Sequence, residues 1–239
     1  GAGSVLASLV FDDGPRVTCV QDARAAPAPA TLERDGFSLV SGLPAARDVD
    51  VYSPERVVAE IFPVVASAVA RETGAARVLV FDHVVRNAER KAEFAASSGG
   101  GGGLSRGWKP ASAQAAAADE PKFLSGVIHR MHNDYSMGAG VERARTLLEP
   151  FADPARLRAA LRGRVAIVNA WLPTRVVEKD PLALCRFASV RPRDVAVTRF
   201  HYKTRVGEVY RARSADEQQW VYFSAMKPPE CLLFKTFDS

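Results

Sequence analysis

The stretch "HRMHNDYS", residues 129–136, decides how the rest of the chain is read. His132 and Asp134 stand two apart, a His-x-Asp pair. On an extended strand such residues face the same side, so an imidazole and a carboxylate can both reach one ion. A distant histidine would complete a 2-His-1-carboxylate set, which leaves positions on Fe(II) open for oxygen and a co-substrate. The spacing is common, however, and taken alone it favours a surface turn or a hydrogen-bonded His-Asp pair over a metal site. His129 is odd-spaced from Asp134 and would face away. The choice therefore falls to what surrounds the pair.

The chain has 239 residues, 47% hydrophobic and 25% charged, which suits a soluble globular protein. Its net charge of +5 comes from scattered arginines rather than a basic stripe with interleaved aromatics, which argues against nucleic acid as a partner. Cys19, Cys185 and Cys231 are far apart and form no C-x-x-C, so neither a disulfide scaffold nor a structural zinc site is expected. Free thiols suit a reducing cytoplasm. No apolar run approaches a membrane span, and no basic segment precedes the short apolar start as in a secretory leader. A homodimer is compatible with all of this.

"SVLASLVF" and "DDGPRVTCV" predict a hairpin turning at Asp-Gly-Pro, and "FSLVSG" a short strand. Ser53, Pro54 and Glu55 announce a helix that Gly74 stops and that Pro63 should kink or split. "ARVLVFDHVVRN" reads as a buried strand. Residues 96–121 are Gly-, Ser- and Ala-rich and read as a flexible insertion; as a lid, it would have Trp108 and Lys109 to close with. Two short helices follow the pair, the second begun by Asp153-Pro154. The remainder, including "RVAIVNAWLP", "PLALCRFASV", "DVAVTRFHYKTRVGEVYRARS", "QQWVYFSAM" and "ECLLFKTFDS", is mostly short strands at regular intervals, the pattern of a barrel or sandwich.

The words "FDHVVR" (81–86), "HNDYS" (132–136), "RVAIVNAWLP" (164–173), "DPLALCRFASV" (180–190), "RVGEVY" (205–210) and "WVYFSAMKPPECLLFKTFDS" (220–239) stand in an order that resembles one family. It is the group of non-haem iron, 2-oxoglutarate-type hydroxylases and desaturases of biosynthetic clusters. The gibberellin desaturase, the cephamycin 7-α-methoxylation partner protein and an aziridine synthase belong to it. The resemblance covers about residues 78–239. It implies an α+β chain whose core is a double-stranded β-helix, a jelly-roll or cupin-like barrel, flanked by helices. The expected plan is a single domain: an α/β support over 1–95, the insertion over 96–121 and the barrel core over 122–239. It further implies Fe(II) and 2-oxoglutarate as cofactors, O2 as co-substrate, and hydroxylation, desaturation or oxidative cyclisation of a small or carrier-bound secondary metabolite.

By the same resemblance His132 and Asp134 are metal ligands and catalytic. The family's distal histidine follows the "K-x-F-D-S" word, which places the third ligand beyond Ser239; within the chain His201 is the alternative. The arginine that usually follows the tryptophan of "N-x-W" is here Leu172, and Arg175 is its candidate substitute. Asn169 would face the interior and hydrogen-bond a carboxylate, so Asn169 and Arg175 are the cofactor-binding candidates. Tyr135, Trp171, His83 and Tyr222 are expected to line the substrate pocket, His83 with a structural role as its rival reading. Two other classes compete. One is a barrel without iron that binds a small molecule or assists a partner enzyme such as a methyltransferase, as the cephamycin relative does. The other is a zinc hydrolase, which the absence of an H-E-x-x-H word disfavours.

Overall fold

The structure, a computed structural model, describes residues 3–43, 48–87, 124–125, 128–201 and 206–239. The insertion at 96–121, with Trp108 and Lys109, lies outside the described residues. Twelve strands are described: β1 (Ser4–Phe11), β2 (Gly14–Asp22), β3 (Phe37–Val40), β4 (Val85–Arg86), β5 (Leu124–Ser125), β6 (His132–Asn133), β7 (Ala166–Trp171), β8 (Leu184–Cys185), β9 (Val195–His201), β10 (Val206–Ala212), β11 (Trp220–Tyr222) and β12 (Cys231–Asp238). They form sheets in the orders β1-β2-β11-β8, β6-β10-β9 and β3-β12-β7, with β4 paired to β5. Among the described residues no helix is long and apolar enough to cross a membrane.

The hairpin forms as the sequence predicts, but the turn is Asp12–Asp13. The pairing of Phe11 with Gly14 puts Gly14 and Pro15 already in β2. Gly14 adopts φ 113°, a conformation open to glycine and strained for other residues. The first helix starts where Ser53 Oγ accepts from Arg56 N–H at 3.3 Å and stops at Gly74, whose φ is 67°. The helix is divided just ahead of Pro63, which stands in the first turn of its second α-helical part. Between α1 (Pro54–Arg56) and α2 (Phe62–Thr73) the chain widens into a π-helical turn, Val57–Ile61, with Phe62 N–H donating to the Val57 carbonyl. The extra residue in the turn absorbs the strain that the proline ring would place on the preceding carbonyl.

The predicted strand at "ARVLVFDHVVRN" is corrected: among the described residues only Val85 and Arg86 enter a ladder, to β5. The run is apolar because Val78 and Val80 pack on the helix side of the core, not because it finds strand partners on both sides. "PLALCRFASV" likewise yields only β8 and then a 3-10 turn at Phe187–Ser189.

The sheet β3-β12-β7 is the structural centre. Along β12 successive residues alternate: Cys231 and Leu233 face α2, with Leu32, Val40, Val65 and Val69, while Leu232 faces Phe37, Val221, Phe223 and Met226. Leu232 and Leu233 are 0% exposed, and burying each such side chain stabilises the fold by roughly 1.5–3 kcal/mol. β7 alternates in step: Val168, Ala170 and Leu172 pack toward α2, and Trp171 packs on the opposite side. By the same alternation Asn169 shares the face of Trp171. A third cluster, Leu9, Phe11, Val20 and Trp220, lies under the β1–β2 hairpin, with the Phe11 and Trp220 rings edge to face.

Candidate metal centre

β6 is two residues long and among the described residues pairs with one strand, with His132 opposite Arg211 and Asn133 opposite Tyr210 of β10. The chain then bends at Asp134 and enters α3 (Met137–Leu148). Ser136 caps that helix by accepting from Ala139 N–H at 3.2 Å, and its hydroxyl donates to Glu208 Oε2 at 2.8 Å. Asn133 ties the same segment to the central sheet: its Nδ2 donates to the Thr236 carbonyl on β12 at 2.9 Å and to the Tyr135 carbonyl at 3.2 Å. The His-Asp stretch thus lies between two sheets and is fastened to both.

His132 Nδ1 is 2.8 Å from the Arg130 carbonyl. A carbonyl only accepts, so Nδ1 carries the proton and a neutral ring keeps its lone pair on Nε2. That lone pair points at Asp134 Oδ1, 3.3 Å away. The other carboxylate oxygen, Oδ2, accepts from Asn169 Nδ2 at 2.8 Å. Two acceptors facing each other at 3.3 Å repel unless a cation, either a proton or a metal ion, lies between them. Adjacent ligands each about 2.1 Å from an octahedral ion are about 3 Å apart, so the pair has the bite of two neighbouring metal ligands. The outer atoms fit that use: one ligand is held by a backbone carbonyl and the other by an amide, the usual support of metal-binding histidine and carboxylate.

The electrostatics agree. Without a metal, the hydrogen bond to Asp134 raises the His132 pKa above its ordinary value, against the opposing effect of burial. Burial pushes the Asp134 carboxyl up, but the bonds from His132 and Asn169 and the charge of Arg86 outweigh it and leave its pKa lowered. Arg86 lies within electrostatic reach of both residues; burial lowers its own pKa and the Asp134 charge raises it. The segment that delivers it runs past two helices: the Phe81 ring lies under Arg143 of α3 at 5.2 Å, and His83 packs edge to face on Phe62 of α2.

Of the residues singled out in the sequence, the structure brings His132, Asp134 and Asn169 together, with Tyr135 next in the chain. The carboxylate that Asn169 meets is that of Asp134. Trp171 lies two residues along the same face and packs in the Leu232 cluster. Tyr222 belongs to a different sheet and packs under the hairpin. Arg175 is exposed in the loop after β7. Leu172 faces α2, so the apolar residue suits its position. The side chain of His201 lies outside the described residues, but its backbone does not. β9 pairs His201 with Val206, whereas the residue level with His132 across β10 is Ala196. Five strand residues separate the two levels, roughly 16 Å, too far for both histidines to share one ion. Among the described residues no third His, Cys, Asp or Glu gathers at the pair.

Arg86, Asn133 and Ser136 also bear on the pair, by charge or by hydrogen bonds to its segment, and the sequence alone does not single them out. All three stand inside quoted words, and Ser136 carries an N-cap signal ahead of a helix; the reach of Arg86 has no local signal at all.

Residues 7–239 match the protein family described as "Oxidoreductase/YMDC permease-like domain". The chain is 30% identical over 209 residues to the alpha-ketoglutarate-dependent dioxygenase phiK of a fungal species, covering 87% of this chain and 65% of phiK. It is 26% identical over 234 residues to the hydroxylase/desaturase efuI of Hormonema carpetanum, covering 92% of this chain and 70% of efuI. The chain therefore spans about two thirds of the length of these relatives. Among solved structures, the iron and alpha-ketoglutarate-dependent endoperoxidase NvfI superposes with a TM-score of 0.73 at 18% identity over 99% of this chain and 82% of NvfI, which shows a shared fold. Relatives so named are the kind of protein that the ordered words of the sequence resemble.

Proposed function

This chain belongs to the oxidoreductase/YMDC permease-like domain family, and from its named relatives and its His-Asp geometry we propose that it is an Fe(II)- and 2-oxoglutarate-dependent oxygenase of secondary metabolism. Its substrate is a small molecule, free or carrier-bound, and the outcome is hydroxylation, desaturation or ring closure. The sheets β3-β12-β7 and β6-β10-β9 are read as parts of a double-stranded β-helix within a single domain. Three free cysteines suit a cytoplasmic protein.

The observation that carries the reading is the 3.3 Å approach of His132 Nε2 to Asp134 Oδ1 with the outer atom of each already bonded. His132 and Asp134 would hold the iron. Fe(II) with 2-oxoglutarate, when bound, supplies from O2 the oxidising power to remove hydrogen from an unactivated C–H bond. The protein's own part is positional and electrostatic. The Arg130 carbonyl keeps the Nδ1 proton in place, so Nε2 stays available. Asn169 restrains the carboxylate. Arg86 sets a positive charge near the pair, which favours an anionic keto acid arriving there. Trp171 offers an apolar wall on the face of Asn169.

The test is an anaerobic titration of the purified full-length protein with Fe(II) and 2-oxoglutarate, following the weak visible charge-transfer band of the chelate. The wild type should develop the band, and His132→Ala, with unchanged circular dichroism, should not. A wild type that stays colourless would sink the oxygenase reading and favour a small-molecule-binding barrel.

A further inference from the structure

We propose that Asn169 is the positioning residue that makes Asp134 a one-oxygen ligand; the inference rests on the metal reading above. An aspartate on a bend can turn either oxygen, or both, toward an ion. Asp134 sits on such a bend, outside any ladder. Asn169, in contrast, stands within a six-residue strand laddered to β12. Its backbone is paired with Phe234 of β12, and its neighbours Val168 and Ala170 pack against the α2 core. One hydrogen bond of 2.8 Å therefore ties a rotatable carboxylate to a fixed point.

The direction of the amide is forced by chemistry. A carboxylate only accepts, so the Asn169 amino group, not its oxygen, must face Asp134. With Oδ2 occupied by that bond, only Oδ1 is presented to His132 Nε2. Asn133 performs the matching task for the main chain, fixing the segment to the Thr236 carbonyl of β12. The bend is thus pinned at two points to the same strand pair: the backbone through Asn133 and the carboxylate through Asn169. Glutamine would overreach by one methylene, and leucine would fill the space without a donor.

The probe is Co(II), whose visible bands report coordination number and symmetry, titrated into the full chain. Asn169→Ala and Asn169→Leu are compared with wild type, each with its metal-free thermal midpoint. Loss of an outer hydrogen bond to a metal ligand costs about 10–100-fold in affinity. Both variants should show that loss, together with a changed band shape and intensity as Asp134 swings to offer both oxygens, and with midpoints near wild type. Variants that bind Co(II) as wild type does, with the same spectrum, overturn the proposal. So does a loss of affinity that comes with an unchanged spectrum and a lowered midpoint, because that is a folding defect. A wild type with no Co(II) affinity overturns the metal reading itself, and this inference with it.

Discussion

Gly140 stands on the first turn of α3, where the helix that follows the His-Asp bend comes closest to β12. A Cβ added there would lie 2.1 Å from Cδ2, 2.4 Å from Cγ and 2.8 Å from Cε2 of the Phe237 ring. Carbon atoms pack comfortably at about 3.5–4.0 Å, so helix and ring would have to part by about 1.5 Å. Neither yields easily. Phe237 is 6% exposed, and β12 is paired on both sides. Forcing one extra carbon into such a site costs roughly 1–3 kcal/mol, here at the upper end. The better helix propensity of alanine returns at most about 1 kcal/mol. Gly140→Ala should therefore destabilise by about 2 kcal/mol, which for a chain of this size lowers the melting temperature by about 4–8 °C. Gly138 is the control: it lies on the same turn, and nothing stands within 4 Å of its added Cβ. Gly138→Ala should be neutral or stabilising by about 0.5 kcal/mol. Calorimetric and urea unfolding of the two variants side by side decide the matter. If Gly140→Ala melts at or above Gly138→Ala, the close helix–strand approach is refuted. So is the idea that α3 is seated by the absence of a side chain.

Two further outcomes follow from the same packing. Ser38 on β3 is 6% exposed and its hydroxyl has no hydrogen-bond partner among the described residues; Ser38→Ala removes that unmet polar group and should raise stability by about 1 kcal/mol in urea unfolding. Asp238 receives Arg164 on both oxygens, at 2.8 and 2.7 Å, and Lys235 at 2.7 Å. The bond from Arg164 is the largest influence and holds its pKa at about 2, below the ordinary 3.8. A depressed carboxyl contributes stability that is complete above the unfolded pKa and disappears as pH falls through the folded one. The shift is worth at most about 2 kcal/mol, and screening around the half-exposed Arg164 reduces this to about 1 kcal/mol. The stability gap between wild type and Asp238→Asn should thus be full at pH 6 and close as the pH is lowered from 4 to 2; a gap that does not change over that range removes the ion pairs as its cause.

What the sequence announces well is what short-range chemistry determines. Ser53, Pro54 and Gly74 bound the first helix because a hydroxyl, a fixed φ and a missing Cβ act on the nearest backbone groups. Asp153-Pro154 opens α4 (Pro154–Arg162) for the same reason. What it announces poorly depends on partners far along the chain. "ARVLVFDHVVRN" has strand composition, yet a strand needs neighbours, and only Val85 and Arg86 find one among the described residues. The site divides in the same way. His132 and Asp134 are legible as a pair because two residues of extended chain bring them to one face. Asn169 is legible as an inward-facing amide from the alternation of β7. Its target is not, because Asp134 is 35 residues earlier in sequence and reaches it only through the stacking of two sheets. The register of β9 against β10, which separates His201 from the level of His132, is likewise set by the pairing of Tyr210 with Val197 rather than by any local word.

These long-range arrangements fit a division of labour within the site. The His-Asp bend has little ladder of its own: β6 is two residues long, and Asp134 belongs to no strand. Its geometry is supplied from outside by backbone bonds, Met131 N–H to the Val10 carbonyl and Ser136 N–H to the Glu208 carbonyl, and by three short polar side chains, Asn133, Ser136 and Asn169, which bond to β12, β10 and the bend itself. His132 and Asp134 are thereby tied to strands that carry the apolar core. The helix α3 enforces this from the far end, since Gly140 lets it press on Phe237 and so holds Ser136 at Glu208. The segment is thus seated on β12 twice, through Asn133 at the Thr236 carbonyl and through Gly140 at the Phe237 ring.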